Sequence, residues 1–321
     1  AEVRSQNAEV KNNKEEIQAD SAMLPGMPGK RPGKPSITIV GAGNLASGLA
    51  IALRGAGYEI GQVVSRGQAG SLKRARRLAE EVGASAVSGT RVQIRGEVVW
   101  FCVPDGAIAG AAESLKESAD WKGRIALHSS GALSSEELVE LRRRGAAVAS
   151  VHPLMTFVRG SRPALAGVPF AIEGDAAAVR MARRIVKNLG GRAYSIRKEE
   201  KAAYHAWGTF ASPLLTALLV TSEHVAAAAG VKRQAAKQMM LPMVQQTLAN
   251  YAAFDAAGAF SGPMIRGDID TVKRHLRTLR TSPVAQAVYV SLARAALAFL
   301  PGKNKKTLEK ALKSLGTRSG N

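Results

Sequence analysis

The sequence predicts an α/β domain built on a parallel sheet, followed by an all-helical second domain. Three observations carry that prediction. Short β-branched apolar runs alternate with amphipathic stretches from Ser36 to about Ile196, strand signals vanish after Arg197, and long Ala-, Leu- and Met-rich stretches then take over. The strand runs fall at 37–40, 60–64, 98–103, 124–128, 146–151, 169–172 and 193–196, with helices near 45–55, 71–82, 106–117, 134–144 and 175–189. Alternation of this kind requires crossover connections, which set strands parallel and cover both sheet faces with helices. The later helices are expected near 198–229, 232–256, 268–280 and 283–300, with Pro213 and Pro242 starting or kinking theirs. Residues 1–35 are polar and then broken by Pro and Gly, and read as a disordered or extended tail. The expected organisation is therefore tail 1–35, α/β domain 36–196, helical domain 197–302 and a basic tail 303–321.

Composition narrows the function classes. Apolar residues make up 46% and aromatics only 5%, so the core rests on Ala, Val, Leu and Ile. The single cysteine, Cys102, cannot staple a secreted fold and points to a reducing compartment. Within the apolar run 98–103 it reads as a buried strand residue. No apolar stretch reaches the roughly 18–20 residues of a membrane span, and the first residues lack a signal-peptide core, so a soluble cytoplasmic protein is expected. The formal net charge of +20 is spread over 73–77, 142–144, 180–184, 273–280 and the residues after Lys303. Those clusters sit on separate elements without interleaved aromatics, which argues against nucleic-acid binding. Solvated helix faces, with some steering of an anionic cofactor or substrate, account for them better. The histidines lack the compact spacing of a metal site.

Gly41-x-Gly43-x-x-Ala46 follows the first strand and opens the first helix. The first glycine permits a tight turn, the second lets backbone approach a pyrophosphate, and a small third residue packs helix on strand. The helix N-terminus then offers free N–H groups and positive dipole to phosphates. In this strand–turn–helix setting the motif marks a dinucleotide-binding Rossmann domain, with Gly41, Ala42, Gly43, Asn44 and Leu45 as the phosphate loop. The second strand ends in Ser65-Arg66 rather than an acidic residue, with Lys73 and Arg74 on the next helix. A hydroxyl and a guanidinium suit a 2′-phosphate, so the expected cofactor is NADP. Val103 and Pro104 close the strand that should lie near the nicotinamide, and Asp105 is expected to cap the helix after it.

Two histidines end neighbouring strands: His128, in His128-Ser129-Ser130-Gly131, and His152. Lys201 and His205 stand four apart and share one face of the first helix of the second domain. A cation and an imidazole aimed into an interdomain cleft make a proton donor and relay, although a solvated Lys beside a packing His fits the same spacing. The catalytic candidates are thus Lys201, His205, His128 and Ser129. Ser130, Gly131, His152 and Arg266 are candidates for substrate binding, Arg266 as a clamp for an anion. Asp268 reads as a helix cap, and His224 and His275 as structural or solvated.

Taken in order, the string 41–46, Ser65-Arg66, Val103-Pro104-Asp105, the residues 128–132, the residues 152–157, Lys201-x-x-Tyr204-His205 and Gly262-Pro263-x-x-Arg266-Gly267-Asp268 resemble a bacterial family. Its members join a Rossmann-like domain to a helical domain of uncharacterised function and are often named NADP oxidoreductases. The resemblance covers about Ser36 to Leu300. It implies kinship in architecture with pyrroline-5-carboxylate reductases, deazaflavin-dependent NADP oxidoreductases, ketopantoate reductases and β-hydroxyacid dehydrogenases, and hence a second domain of the 6-phosphogluconate-dehydrogenase C-terminal type. The last of these groups carries Lys-x-x-x-Asn where this chain has Lys201-x-x-x-His205, and its substrate-carboxylate loop resembles the turn after Ser129. The expected function is hydride transfer from NADP(H) to a small anionic carbonyl or imine. The alternatives are a non-catalytic NADP-binding sensor or scaffold, motivated by His205 in place of Asn, and, from charge alone, nucleic-acid binding. A homodimer through the helical domain is expected, because helices 214–229 and 284–300 carry more apolar surface than one small domain buries and related reductases dimerise there.

Overall fold

The computed structural model describes residues 33–88 and 92–316, so all but the last three residues of the expected N-terminal tail lie outside the described residues. Strand β1 (Ile37–Val40) leads into helix α1 (Asn44–Gly55). Then come β2 (Ile60–Ser65), α2 (Ala69–Val82), β3 (Ser85–Ser88), β4 (Val98–Phe101) and α3 (Ile108–Leu115). The domain continues through β5 (Ile125–His128), α4 (Val139–Arg143), β6 (Ala147–Pro153), β7 (Pro169–Gly174), α5 (Ala176–Asn188) and β8 (Arg192–Ser195). The strands form one sheet in the order β3-β2-β1-β4-β5-β6-β7-β8. Its first six positions follow the doubly wound 3-2-1-4-5-6 order. Side chains alternate across it: Ile37, Ile39, Val98, Trp100 and Leu127 join α1, α2 and α5 on one face, whereas Val40, Val99, Phe101 and Ala126 meet α3 and α4 on the other. This is the two-period pleat with both faces covered.

Three expectations are corrected within this domain. The sheet is parallel only from β3 to β6; β7 pairs antiparallel to β6, and β8 runs with β7. The chain between β6 and β7 contains no crossover helix among its elements, so β7 returns beside β6 in the opposite sense. Strand β3 was not expected, because Ser85-Ala86-Val87-Ser88 carries too little apolar signal; it forms as a partly exposed edge strand paired to β2. Asp105 opens a short 3₁₀ turn, Asp105–Ala107, and caps neither it nor α3 with its side chain.

The second half is helical. Helix α6 (Lys201–Thr209) passes through a π turn (Phe210–Leu214) into α7 (Leu215–Ala227), then α8 (Arg233–Ala253), α9 (Ala256–Ala259), α10 (Pro263–Arg266), α11 (Ile269–Thr278), α12 (Pro283–Phe299) and α13 (Lys305–Gly316). Pro213 sits inside the π turn, where the wider ladder accommodates its missing N–H. The run Lys198–Ala227 is long and apolar enough to cross a membrane by length and composition, contrary to the shorter apolar stretch read from sequence. Its first turn is nevertheless anchored in protein, since Lys201 is fully buried.

The small core of this domain joins Val272 and Leu276 of α11, Val290 and Ala293 of α12, and Leu308 and Leu312 of α13. Of the segment expected as a basic tail, Lys305–Gly316 is a packed amphipathic helix with Leu308 and Leu312 inward and the Lys305 amine bonded to the Leu297 and Leu300 carbonyls, while residues 317–321 lie outside the described residues. Leu312→Ala should destabilise the chain by about 2–4 kcal/mol through lost burial and a residual cavity. Chemical denaturation checks this, and an unchanged midpoint would return 303–321 to the status of a tail.

Candidate active site

Because β1 to β6 run parallel, their carboxyl ends gather at one sheet edge, where loops can build a site. The glycine loop between β1 and α1 lies there. Gly41 has φ +108°, and a Cβ on it would come within 2.5 Å of the Cys102 carbonyl oxygen, so only glycine fits. A Cβ on Gly43 would meet nothing within 4 Å, leaving its backbone open to a ligand. Gly43 is the N-cap of α1, no side chain caps that helix, and its first turn holds no acidic residue. Ala46 is buried against the sheet. Asn44 Nδ2 donates to the Phe157 carbonyl at 3.3 Å, tying the loop after β6 to the first turn of α1. Phe157 also closes on Gly48, where a Cβ would sit 2.9 Å from its ring.

At the end of β2, the buried Ser65 hydroxyl has no hydrogen-bond partner, and the next residue, Arg66, is exposed. Val103 is half-buried and Pro104 exposed at the mouth beside them. Burial pushes the Cys102 thiol far up, so it is no nucleophile. An orphaned hydroxyl beside an exposed guanidinium, next to an uncapped helix start with an open glycine, matches what a phosphorylated dinucleotide needs.

The reaction side is more buried than its sequence suggested. Lys201 is 0% exposed, and its Nζ donates to the Ser130 carbonyl at 3.0 Å and to Ser150 Oγ at 2.8 Å. The Ser150 hydroxyl itself donates to the Ser130 carbonyl at 3.1 Å, closing a triangle. Burial brings the Lys201 amine down to about 8, against the opposing charges of Glu173 and Asp105. Glu173 is also buried and accepts from Ser135 N at 2.6 Å and Ser135 Oγ at 2.9 Å. His128 is fully buried with both ring nitrogens engaged: Nε2 bonds the Ser134 carbonyl at 2.9 Å, and Nδ1 accepts from Ser130 N at 3.1 Å. Ser129 Oγ accepts from Trp100 Nε1 at 2.8 Å. Ser130 Oγ accepts from Ala132 N and Leu133 N. Lys201, His128, Ser129 and Ser130 were expected to face a substrate; their side chains instead shape the turn from within.

What remains at the surface is an aromatic cluster. His152 Nδ1 lies 3.2 Å from the Tyr204 hydroxyl, and the two rings meet edge to face at 5.5 Å. His205, exposed on α6, packs its ring against His152 at 6.0 Å. Gly131 is pressed between them: a Cβ there would lie 2.6 Å from His205 Cδ2 and 2.8 Å from His152 Nε2. His152, His205 and Gly131 are thus brought together as expected. Arg266 is not: α10 packs on α11 and α12, so the domain's own helices hold this exposed residue, not the strand ends. Tyr204, Ser150, Glu173 and Phe157 were missed as site residues. Tyr204 and Phe157 stood in the quoted motifs, but only the fold shows what they touch.

The comparisons agree with this architecture. A Rossmann-like domain model matches residues 21–153, and a domain of unknown function, DUF2520, matches residues 168–296. No curated protein matches the chain. Among solved structures, a Bacteroides fragilis protein provisionally named an NADP oxidoreductase is 24% identical, with TM-score 0.70, covering 82% of this chain and 97% of its own. A Thermotoga maritima protein is 25% identical, with TM-score 0.62 and coverage of 87% and 98%. An imine reductase from Pseudomonas sp. is 21% identical, with TM-score 0.58 and coverage of 87% and 100%.

Burial lowers His128 from an ordinary value of 6.5 to about 4, outweighing its bond to Ser134. The folded chain therefore holds this ring neutral, and the stability that depends on it is present above pH 6.5 and lost as pH falls toward 4. Between pH 7 and pH 5 the loss should be about 2 kcal/mol for this residue. Urea unfolding at the two pH values measures it. A His128→Asn chain should show a flatter dependence, and an equal slope in both would show that His128 is not the titrating group.

Proposed function

Because the chain joins a Rossmann-like domain to a DUF2520 domain, we propose that it is an NADP(H)-dependent oxidoreductase acting on a small anionic carbonyl or imine. The observation that carries this reading is the shared sheet edge. The open glycine loop after β1 and His152 near the end of β6 lie at the same edge of the parallel strands, with β4 and β5 between them; Asn44 and Phe157 tie the loop after β6 to α1, and Tyr204 and His205 of α6 meet His152 there. Gly41 to Leu45 would hold the pyrophosphate, Ser65 and Arg66 the 2′-phosphate, and Val103 and Pro104 the nicotinamide side. When bound, the cofactor would supply a hydride equivalent, and the His152–Tyr204–His205 surface over Gly131 would face the acceptor. The kinship with an imine reductase fold and the positive charge of the chain favour an anionic imine or ketoacid. The dispersed basic residues form no aromatic-interleaved patch, so nucleic acid is not the proposed partner.

Two measurements test the cofactor part. Arg66→Ala should weaken NADPH binding by about 1–3 kcal/mol and leave NADH binding nearly unchanged. Gly43→Val should fold, because its Cβ meets no protein atom, yet lose the cofactor. Calorimetry showing equal NADH and NADPH affinity, or unchanged binding by the Gly43→Val chain, overturns the assignment. Turnover over a panel of ketoacids and cyclic imine acids separates a reductase from a sensor that binds NADP without chemistry.

The same reading includes a cytoplasmic homodimer built on the helical domain. Helix α7 buries no residue and α8 only Ala236, while Trp207, Phe210, Met239, Met243 and Tyr251 stand exposed. In a chain of net charge +20, residues 202–222 and 238–254 carry no Lys, Arg, Asp or Glu. Such depletion marks the core of an interface. Beside them, α7, α10, α11 and α12 border an open apolar pocket of about 620 Å³ lined by Leu218, Val225, Met264 and Leu292, large enough to take side chains of a second copy. Light scattering should give twice the chain mass at micromolar concentration. A monomer, or a chain that sediments with lipid vesicles through Lys198–Ala227, overturns the dimer.

A further inference from the structure

Of the ionisable groups at this sheet edge, few are free to reach a substrate. Lys201 is sealed, with its amine spent on Ser130 and Ser150. His128 has both nitrogens bonded. Glu173 is bound to Ser135 beneath the surface. His205 is exposed, but it presents a ring carbon, Cδ2, to Gly131 and its ring edge to His152. The half-buried Tyr204 hydroxyl touches His152 Nδ1 at 3.2 Å. His152 Nε2 makes no hydrogen bond among the described residues and is not sealed from water. Tyr204 thus stands half-buried against a ring whose far nitrogen meets solvent.

We infer that Tyr204 is the proton donor of this site and that His152 relays the replacement proton to it from water. The inference rests on the reductase reading. Reduction of a C=O or C=N bond adds a hydride equivalent to carbon and a proton to the heteroatom. The Tyr204 O–H bond breaks, the new O–H or N–H bond forms on the substrate, and the electron pair stays on the phenolate oxygen. His152 Nδ1–H then returns a proton to that oxygen while Nε2 takes one from water, so the ring changes tautomer and stays neutral. Exchange with water restores the starting tautomer between turnovers. Lys201 acts only through His152, where its nearby charge favours the neutral ring. Tyr204 meets His152 from β6 and Trp207 of its own helix at 6.0 Å; the titratable groups around His152 are Lys201, His205 and His128, with Glu173 and Asp105 beside Lys201.

The donors differ in their response to pH. Burial pushes the Tyr204 phenol up to about 12, whereas Lys201 lies near 8. With Tyr204 as donor, kcat for reduction stays flat as pH rises from 7 to beyond 9; with Lys201 it falls through about 8, and with a histidine it falls earlier. Tyr204→Phe keeps the ring and should lower kcat by roughly 10²–10⁴-fold, with the NADPH dissociation constant unchanged. A second readout needs no substrate. In chains labelled with nitrogen isotope at histidine, Tyr204→Phe should shift the His152 Nδ1 resonance and leave His128 in place. An unmoved His152 signal overturns the pair, as does a wild-type kcat that falls through pH 8 and survives in Tyr204→Phe. If no panel substrate turns over, the reductase reading fails while the resonance still decides the pair.

Discussion

A buried ammonium joins the two halves of this protein. Lys201 is the first residue of α6, and its Nζ reaches back to the Ser130 carbonyl in the turn after β5 and the Ser150 hydroxyl within β6. Taking an amine out of water costs several kcal/mol unless polar partners replace the solvent. Here two oxygens meet it directly, and the buried Glu173 carboxylate offsets its charge from a distance. The register of α6 follows from that anchor. With position 201 pinned under the turn at Ser130, positions 204 and 205 emerge one turn later over Gly131 and His152.

The same anchor is one bond in a dense network that holds the turn after β5. Ser130 accepts from Lys201 with its carbonyl, donates to His128 with its N–H, and accepts two backbone N–H groups with its hydroxyl. Gly131 then leaves the gap that two imidazole rings fill. Each buried polar group has its partner supplied by the next, so removing one strands another. The net result is a fully hydrogen-bonded floor with His152, Tyr204 and His205 above it.

The helical domain contrasts with this. Its own core is a few residues of α11, α12 and α13, while α7 and α8 together fully bury only Ala236. Long helices gain most of their stability from packing rather than from intrinsic propensity. The proposed second copy would supply that packing, and the uncharged stretches on both helices are where it would sit.

Much of this was legible in the residues themselves. Strand and helix periods, the glycines at 41 and 43, and Ser65-Arg66 in place of an acid act within a few positions of one another, so the order of the chain suffices to expose the α/β domain and its phosphate loop. Local signal failed where distant groups decide. The weak strand Ser85–Ser88 forms because β2 offers it an edge, and Lys305–Gly316 is helical because α11 and α12 offer Leu308 and Leu312 a core. The sequence determined which residues reach the sheet edge: His128, His152, Lys201 and His205 all do. Only the tertiary structure decided which of them are buried and which face outward. That depends on partners such as Ser150, Ser134 and Tyr204, which lie far apart in the chain or outside its motifs and meet only when β5, β6 and α6 come together.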